Sequence, residues 1–158
     1  MKKNLYKIIL TIVALLSLFL VRSIFFNEHR AIDEGMIHLQ ILDETNTIIF
    51  DDSIIYFEGE SLFDILNRTF TLTCANRFYQ PDETCSHTFQ NITYQGKVIL
   101  TIENEDFTLS SDWRNNFLGF EVYDGETYVH AVHGASTLPF ENGTKIRIVL
   151  KQVSGQSS

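Results

Sequence analysis

Two histidines, His130 and His133, stand three residues apart and are the side chains whose spacing could serve metal binding or acid–base chemistry. Imidazole is a common metal ligand and titrates near neutral pH. On one continuous strand, however, residues three apart point to opposite faces of the sheet, so one metal ion cannot easily bind both. A bulge at Gly134 would change that geometry. The spacing favours solvated or packed histidines, and we predict no metal site.

Two acidic clusters, Asp51-Asp52 and Glu103-x-Glu105-Asp106, could offer oxygen ligands to calcium. Neither has the D-x-D-x-D-G order of a calcium-binding loop, so solvated turns are the better interpretation. The sequence has no G-x-S-x-G nucleophile elbow and no phosphate-binding glycine loop. We therefore predict that the protein is not an enzyme.

Cys74 and Cys85 are the only cysteines, and ten residues separate them. The segment between them is polar and rich in turn-forming residues, and closing it with a disulfide would stabilise the fold by roughly 2–3 kcal/mol. A metal site is the weaker interpretation, because no C-x-x-C pair or suitably spaced histidine accompanies them. We predict a disulfide, with free thiols as the alternative.

The single tryptophan, Trp113, lies in the polar stretch 104–116. Together with Phe117 and Phe120 it could form an exposed aromatic patch. Large aromatic side chains more often pack in a core, so core packing is the preferred interpretation.

Charge is distributed unevenly along the chain. From residue 27 onward there are eight Lys and Arg against twenty Asp and Glu, a net charge of −12. A domain this acidic repels phosphate backbones, which argues against binding to nucleic acid.

Residues 1–26 have the pattern of a membrane-targeting segment. A head with three lysines is followed by fourteen uncharged residues, 8–21. That length suits a signal peptide, whereas a spanning helix needs about 20 apolar residues. Counted through Phe26 the run reaches nineteen residues, with Arg22 near enough to its outer end to extend toward the headgroups.

The end of this segment lacks a small, polar cleavage region, and Val21-x-Ser23 is the only tolerable cleavage pattern. We therefore predict an uncleaved signal-anchor, a transmembrane helix in 1–26, with a cleaved signal peptide as the alternative. By the positive-inside rule the lysine-rich head stays in the cytoplasm. This predicts a single-pass protein of the cell membrane with an extracellular body, which is also a compartment that permits disulfides.

The body must be built mainly from strands, because apolar and polar residues alternate along most of it. Residues 27–34 are predicted to form a stalk and 154–158 a disordered tail, and Asp124-Gly125 is a hairpin turn signal. The predicted extended segments are 36–42, 47–50, 53–57, 69–73, 92–94, 97–103, 117–123, 127–132 and 144–153.

One soluble helix is predicted to begin at Ser61, whose side chain can cap it, and to end near Arg68. Asp64 lies in the first turn, where a negative charge suits the helix dipole. A hairpin, one short helix and several further strands predict an α+β fold with a β-grasp-like mixed sheet, preceded by the transmembrane helix.

Two stretches resemble a bacterial family of uncharacterised domains related to the C-terminal domain of transcobalamin and intrinsic factor. Residues 59–66 (GESLFDIL) resemble its helix start, G-x-T/S-L followed by alternating hydrophobic residues and Asp. Residues 98–102 and 118–125 are similar to its strand and its W-x-y-y-V-N-G hairpin, although Asp124 replaces the turn Asn. The likeness covers about 35–153, with 75–91 as an insertion.

In transcobalamin-type proteins this domain closes over a corrinoid held mainly by a separate helical domain. The resemblance therefore implies the fold more than corrinoid binding, and we predict no cofactor. It also implies that the loop after the hairpin faces a ligand, which makes Tyr128, His130, His133 and Ser136 the candidate contact residues.

These observations predict a membrane-anchored extracellular binding module, possibly for a small molecule. The alternative is a structural or accessory ectodomain that contacts another membrane protein, such as a transporter component. A concave aromatic pocket beside Tyr128 and His133 would favour the first, and a flat apolar patch on a strand edge would favour the second.

Overall fold

The computed structural model describes residues 7, 10–17, 28–90 and 94–153. Residues 10–17 are helical. The rest of the predicted signal-anchor segment, most of the predicted strand 92–94 and the predicted tail 154–158 lie outside the described residues. Within the described ranges, no helix combines the length and the apolar character that crossing a membrane requires.

The described body is α+β, as predicted, with most of its regular structure in strands. The elements are β1 (Gly35–Leu42), β2 (Ile48–Tyr56), α1 (Leu62–Thr69), β3 (Thr71–Ala75), β4 (Pro81–Asp82), β5 (Phe89–Gln90), β6 (Gln95–Gly96), β7 (Ile99–Glu103), β8 (Thr108–Ser110), β9 (Asn116–Tyr123), β10 (Tyr128–His130) and β11 (Lys145–Gln152).

Five strands form the main sheet in the order β10-β9-β11-β1-β2. The two central strands, β1 and β11, run parallel, and every other neighbouring pair is antiparallel. Alternation sorts the side chains: Ile37, Leu39 and Ile41 of β1 are completely buried, while His38 and Gln40 lie on the outer face. One face of the sheet therefore covers the core and the other meets solvent.

A second sheet, in the order β4-β3-β7-β8, follows the helix and packs on the same core. Leu72, Ile102 and Leu109 are buried there together with the inner face of the main sheet. The disulfide joins Cys74 of β3 to Cys85 at 4.9 Å between Cα atoms, which confirms the predicted pairing. The disulfide thus ties the loop between Cys74 and Cys85 to this sheet.

Helix α1 begins where the sequence predicts it. Ser61 accepts a hydrogen bond from the Asp64 backbone N–H, and the Asp64 carboxylate accepts one from the Ser61 N–H, so the first turn is closed by a capping box. Its buried residues, Leu62, Phe63, Ile65 and Leu66, join the common core. The helix therefore covers the inner face of the main sheet.

Residues 28–34, predicted to be a stalk, run along the domain. The His29 N–H donates to the Ser136 carbonyl and the Ala31 N–H to the Glu60 carbonyl. Ala31 is buried in the core. These contacts place the start of the described body against the loops before α1 and β11.

The Asp51-Asp52 pair lies inside β2, although the sequence pattern predicts a break between two strands at this point. Asp51 accepts hydrogen bonds from His38 and Gln40 on the outer face of β1. Asp52 accepts one from the Ser53 N–H on the outer edge of β2. The prediction of a solvated turn was wrong here, because cross-strand partners and the edge backbone use both carboxylates.

The hairpin predicted around Asp124-Gly125 is present, with Tyr123 paired to Tyr128. Residues 124–127 lie between the two strands, and the Asp124 N–H donates to the Thr127 carbonyl across the turn. The Asp124 carboxylate accepts the N–H groups of Glu126 and Thr127, and Gly125 has a φ of +108°. The side-chain cap of Asp124 stabilises this turn.

Candidate functional site

A cavity of about 160 Å³ lies between the main sheet and the second sheet, at the side of β9 that β10 leaves uncovered. Within the described residues β9 pairs with β11 over seven residues but with β10 over only three. The cavity is lined by Tyr94, Lys97, Val98, Ile99, Trp113, Phe117, Leu118, Gly119, Phe120, His130, Ala131, Val132, His133 and Gly134.

Three aromatic rings form one wall of this cavity. The Trp113 ring packs edge-to-face against Tyr94, with centroids 6.2 Å apart, and against Phe117, with centroids 6.0 Å apart. Edge-to-face contacts of this kind stabilise ring pairs beyond the area they bury. Trp113 is half-buried and packs against a buried cluster of Ala75, Phe89, Val98 and Leu100, and Phe120 is buried in the main core, which confirms core packing for these two rings. Trp113 and Phe117 also line the cavity.

Trp113 is held in the left-handed backbone region, with a φ of +58°. A residue with a Cβ pays about 1–2 kcal/mol for that conformation. The adjacent Asp112 supports it, because its carboxylate accepts the N–H groups of Arg114, Asn115 and Asn116 at 2.8–3.2 Å. These hydrogen bonds lower the pKa of Asp112 to about 2. The loop therefore fixes the Trp113 ring beside the cavity, at the cost of an unfavourable backbone conformation.

Tyr94 belongs to the same aromatic wall. Its hydroxyl donates to the Lys97 carbonyl at 2.7 Å, and burial raises the pKa of the phenol. Gly134 lies so close that an added Cβ would come within 2.5 Å of the Tyr94 hydroxyl. Gly134 is therefore needed for the close approach of the two segments, rather than for a bulge.

Of the four candidate contact residues, His130 and His133 both line the cavity. Because β10 ends at His130, the two histidines do not lie on one continuous strand, and the opposite-face geometry does not apply to them. Within the described residues no group of three or more His, Cys, Asp and Glu is placed to hold a metal ion.

His130 belongs to a short chain of polar contacts at the cavity rim. The Lys151 ammonium lies 3.0 Å from the Glu121 carboxylate and 3.2 Å from Nδ1 of His130. Because an ammonium can only donate, this contact favours the tautomer in which Nδ1 of His130 accepts and Nε2 carries the proton. The cavity rim therefore presents the imidazole of His130, and the contact with Lys151 sets its tautomer.

Tyr128 lies away from the cavity, on the outer face of the main sheet. The guanidinium carbon of Arg147 lies 3.6 Å from the centre of its ring, and Arg147 donates to Gln40 at 3.0 Å. Burial raises the pKa of Tyr128. The residue thus takes part in a cross-strand network and does not line the cavity, although it shares its face of β10 with His130.

Ser136 is 3% exposed and is not among the cavity-lining residues. Its hydroxyl accepts the Lys97 backbone N–H at 3.0 Å, and a Cβ on Gly96 would come within 2.7 Å of it. Ser136 therefore fastens β6 to the loop that follows β10.

Sequence reasoning missed several residues that form the cavity, above all Tyr94 and the start of β7. The usable signal was the segment Asp112-Trp113-Arg114-Asn115-Asn116, in which an Asp followed by polar residues can accept several backbone N–H groups and fix the intervening Trp. Nothing in the sequence pattern indicates that β7 and β9 face each other.

A second, wider groove of about 770 Å³ lies at the opposite end of β9, along the turn that precedes β11. Phe140 and Tyr123 contribute aromatic surface, and Asp33, Glu141 and Lys145 contribute charge. None of the four candidate contact residues lines this groove.

The cavity at Trp113 has room for a group about the size of one benzene ring, for which about 150 Å³ suffices. A corrinoid macrocycle is several times larger, so these residues do not fit a corrinoid. No family model matches the chain, and no curated protein matches it either.

Proposed function

We propose that the protein is a non-enzymatic binding module that takes a small molecule into the cavity at Trp113. The observation that carries the proposal is the single tryptophan, held in a strained backbone conformation over a concave aromatic wall. Strain of this kind persists where the surroundings fix it, and it is concentrated in ligand clamps and active sites. A preformed apolar cavity with few polar groups is the usual form of a small-molecule site.

We also propose that the main sheet is a β-grasp sheet of the kind found in transcobalamin-type C-terminal domains. The order β10-β9-β11-β1-β2, the parallel central pair and the one covering helix support this. In that arrangement the cavity lies beside the hairpin that the resemblance assigns to ligand contact.

The body works outside the cell, anchored to the membrane by residues 1–26. The Cys74–Cys85 disulfide supports this location, because disulfides persist in oxidising compartments. A C-terminal tag on the full-length protein should be removed by protease added to intact cells. A tag that survives in intact cells but is cleaved after lysis would contradict the location.

The direct test of binding uses Trp113 itself, because it is the only tryptophan and its fluorescence reports on the cavity. Full-length protein should show a saturable change in emission with small ring compounds, matched by heat in calorimetry. In the Gly134→Val variant, whose side chain enters the wall beside Tyr94, binding should be lost. If none of the small ring compounds gives a saturable change, the proposal is contradicted.

A second candidate function, an ectodomain that contacts another membrane protein, is favoured by the disulfide-closed loop. At its tip Phe78 is 65% exposed and Tyr79 50% exposed, and the Arg77 guanidinium carbon lies 4.5 Å from the centre of the Phe78 ring. Arg and aromatic residues dominate interface hot spots. Asn76 accepts the N–H groups of Phe78 and Gln80, so the tip is ordered in advance.

Crosslinking through a photoreactive residue at position 78, in intact cells, would test the second candidate. A single discrete membrane-protein adduct is expected if it is correct. The same residue placed at exposed Ile48 is the matched control, and equal labelling at both positions would contradict a specific contact.

A further inference from the structure

We infer that the ligand of the cavity is a monocyclic aromatic carboxylate, with the ring against Trp113 and the carboxylate at the histidine rim. This rests on the proposed function, since it names the chemical class that the same cavity would take. The inference uses three observations: the size of the cavity, the charge of its lining and the fixed donor on His130.

Size limits the occupant to one ring. The cavity measures about 160 Å³, and its deep lining is apolar and aromatic. A cavity of about 150 Å³ binds benzene, so a six-membered ring fills this one and a substituent must reach the rim. The second ring of a two-ring compound would lie outside the cavity.

No acidic side chain of the described ranges lies in the lining, and its one lysine, Lys97, directs its ammonium to the Cys85 carbonyl and the Phe63 ring. The protein has twenty Asp and Glu, yet none of the fourteen lining residues is acidic, and three of them are His or Lys. At physiological ionic strength charges farther than about 8 Å are largely screened, so the local groups outweigh the acidic surface. Glu121 is the cross-strand neighbour of His130, and the Lys151 ammonium, 3.0 Å from its carboxylate, balances that charge.

The rim supplies donors suited to a carboxylate. Lys151 occupies Nδ1 of His130, which leaves Nε2–H as the ring atom that can donate to a ligand. His133 is exposed, lines the same cavity, and makes no hydrogen bond within the described part of the chain. Two imidazoles can therefore donate to the two oxygens of one carboxylate.

A cationic ligand would gain from the faces of the aromatic rings. It would find no carboxylate in the lining, however, and it would meet the Lys151 ammonium beside His130. The matched comparison is between an anion, a neutral molecule and a cation of one shape.

Benzoate, benzamide and benzamidinium supply that comparison, because they share a planar ring with a planar three-atom substituent. Titrated into full-length protein and followed by Trp113 fluorescence and calorimetry, benzoate should bind at least tenfold more tightly than benzamide. Benzamidinium should bind more weakly than either. Benzamide or benzamidinium binding as tightly as benzoate would overturn the anion class and leave the pocket standing. Binding of none of the three would overturn both the class and the proposed function.

Variants at the rim test the roles of the histidines. His133→Ala should lower benzoate affinity about five- to tenfold and leave benzamide affinity within twofold. Lys151→Met should also reduce the preference for benzoate over benzamide. In that variant ¹⁵N NMR should show the His130 proton no longer confined to Nε2. His38→Ala, an exposed histidine on β1 paired with Asp51, is the control and should change neither affinity. With unchanged melting temperatures, a preserved preference for benzoate in both rim variants would overturn the assignment of these donors.

Discussion

Reduction of the Cys74–Cys85 disulfide is expected to destabilise the body by about 3 kcal/mol. The bond closes a loop with a sequence separation of 11 residues. The chain-entropy relation for a loop this size gives about 9.5 cal/mol/K, which is about 2.8 kcal/mol at 25 °C. Both cysteines are buried, so the native packing holds the reduced thiols in place and the effect lies mainly in the unfolded chain.

The loss should appear as a fall in melting temperature of about 10 °C, given an unfolding entropy of about 2.1 cal/mol/K per residue over roughly 120 residues. Circular dichroism melts with and without a reductant measure it. The Cys74→Ala/Cys85→Ala double variant is the control, and the reductant should not shift its melting temperature.

A competing account is that hydrogen bonds within the loop already order it. Asn76 accepts two backbone N–H groups, and Asp82 accepts those of Thr84 and Ser86 together with both hydroxyls. If reduction lowers stability by less than about 1 kcal/mol, the loop-entropy reasoning is refuted. The turns at Asn76 and Asp82 would then account for the order of the loop.

Three further predictions follow from named contacts. Gly134→Ala should destabilise the body by about 1–3 kcal/mol and alter Trp113 emission, because the added Cβ would meet Tyr94. Urea denaturation followed by fluorescence and circular dichroism measures both effects. Unchanged stability and emission would contradict the close approach of Gly134 to Tyr94. Arg68→Ala should promote self-association in sedimentation velocity, because Arg68 donates to the Ile55 carbonyl on the free edge of β2, whereas the exposed control Arg77→Ala should stay unassociated. Turn hydrogen bonds lower the pKa of Asp82 and hold the pKa of Asp112 at about 2. The stabilisation that these two carboxylates give to the fold is therefore complete above the ordinary pKa of 3.8 and is lost as the pH falls toward 2. Chemical denaturation at graded pH should show that loss, and Asp112→Asn should diminish it.

The sequence was sufficient for the parts of the fold that depend on local pattern. Alternation in β1 and β11 follows the burial of Ile37, Leu39, Ile146 and Ile148, and the Ser61 capping box is readable as Ser followed three residues later by Asp. The disulfide followed from the count and spacing of the cysteines.

The rest depends on contacts between segments far apart in the chain. β2 continues through Asp51-Asp52 because β1 supplies partners for Asp51 and the neighbouring backbone uses Asp52, which local propensity does not encode. The strands β4, β5 and β6 have only two residues each, which is too short for an alternation of buried and exposed side chains to be recognised in the sequence.

The candidate site was predictable in part for the same reason. His130 and His133 were named because they follow the hairpin, and they do line one cavity. Tyr128 and Ser136 were named on the same ground, but one packs under Arg147 and the other binds the Lys97 backbone. Which side of a hairpin faces a cavity depends on the second sheet, and no residue in the hairpin specifies it.

The most direct test of the pocket is a ¹H–¹⁵N NMR titration of the full-length protein with benzoate, read residue by residue. We predict that shifts concentrate at 94–99, 113–120 and 130–134, the segments that contribute the cavity wall. The Trp113 indole N–H should be among the largest. Shifts centred instead on 139–145, the turn that lines the wider groove, would contradict the claim that the cavity at Trp113 is the binding site.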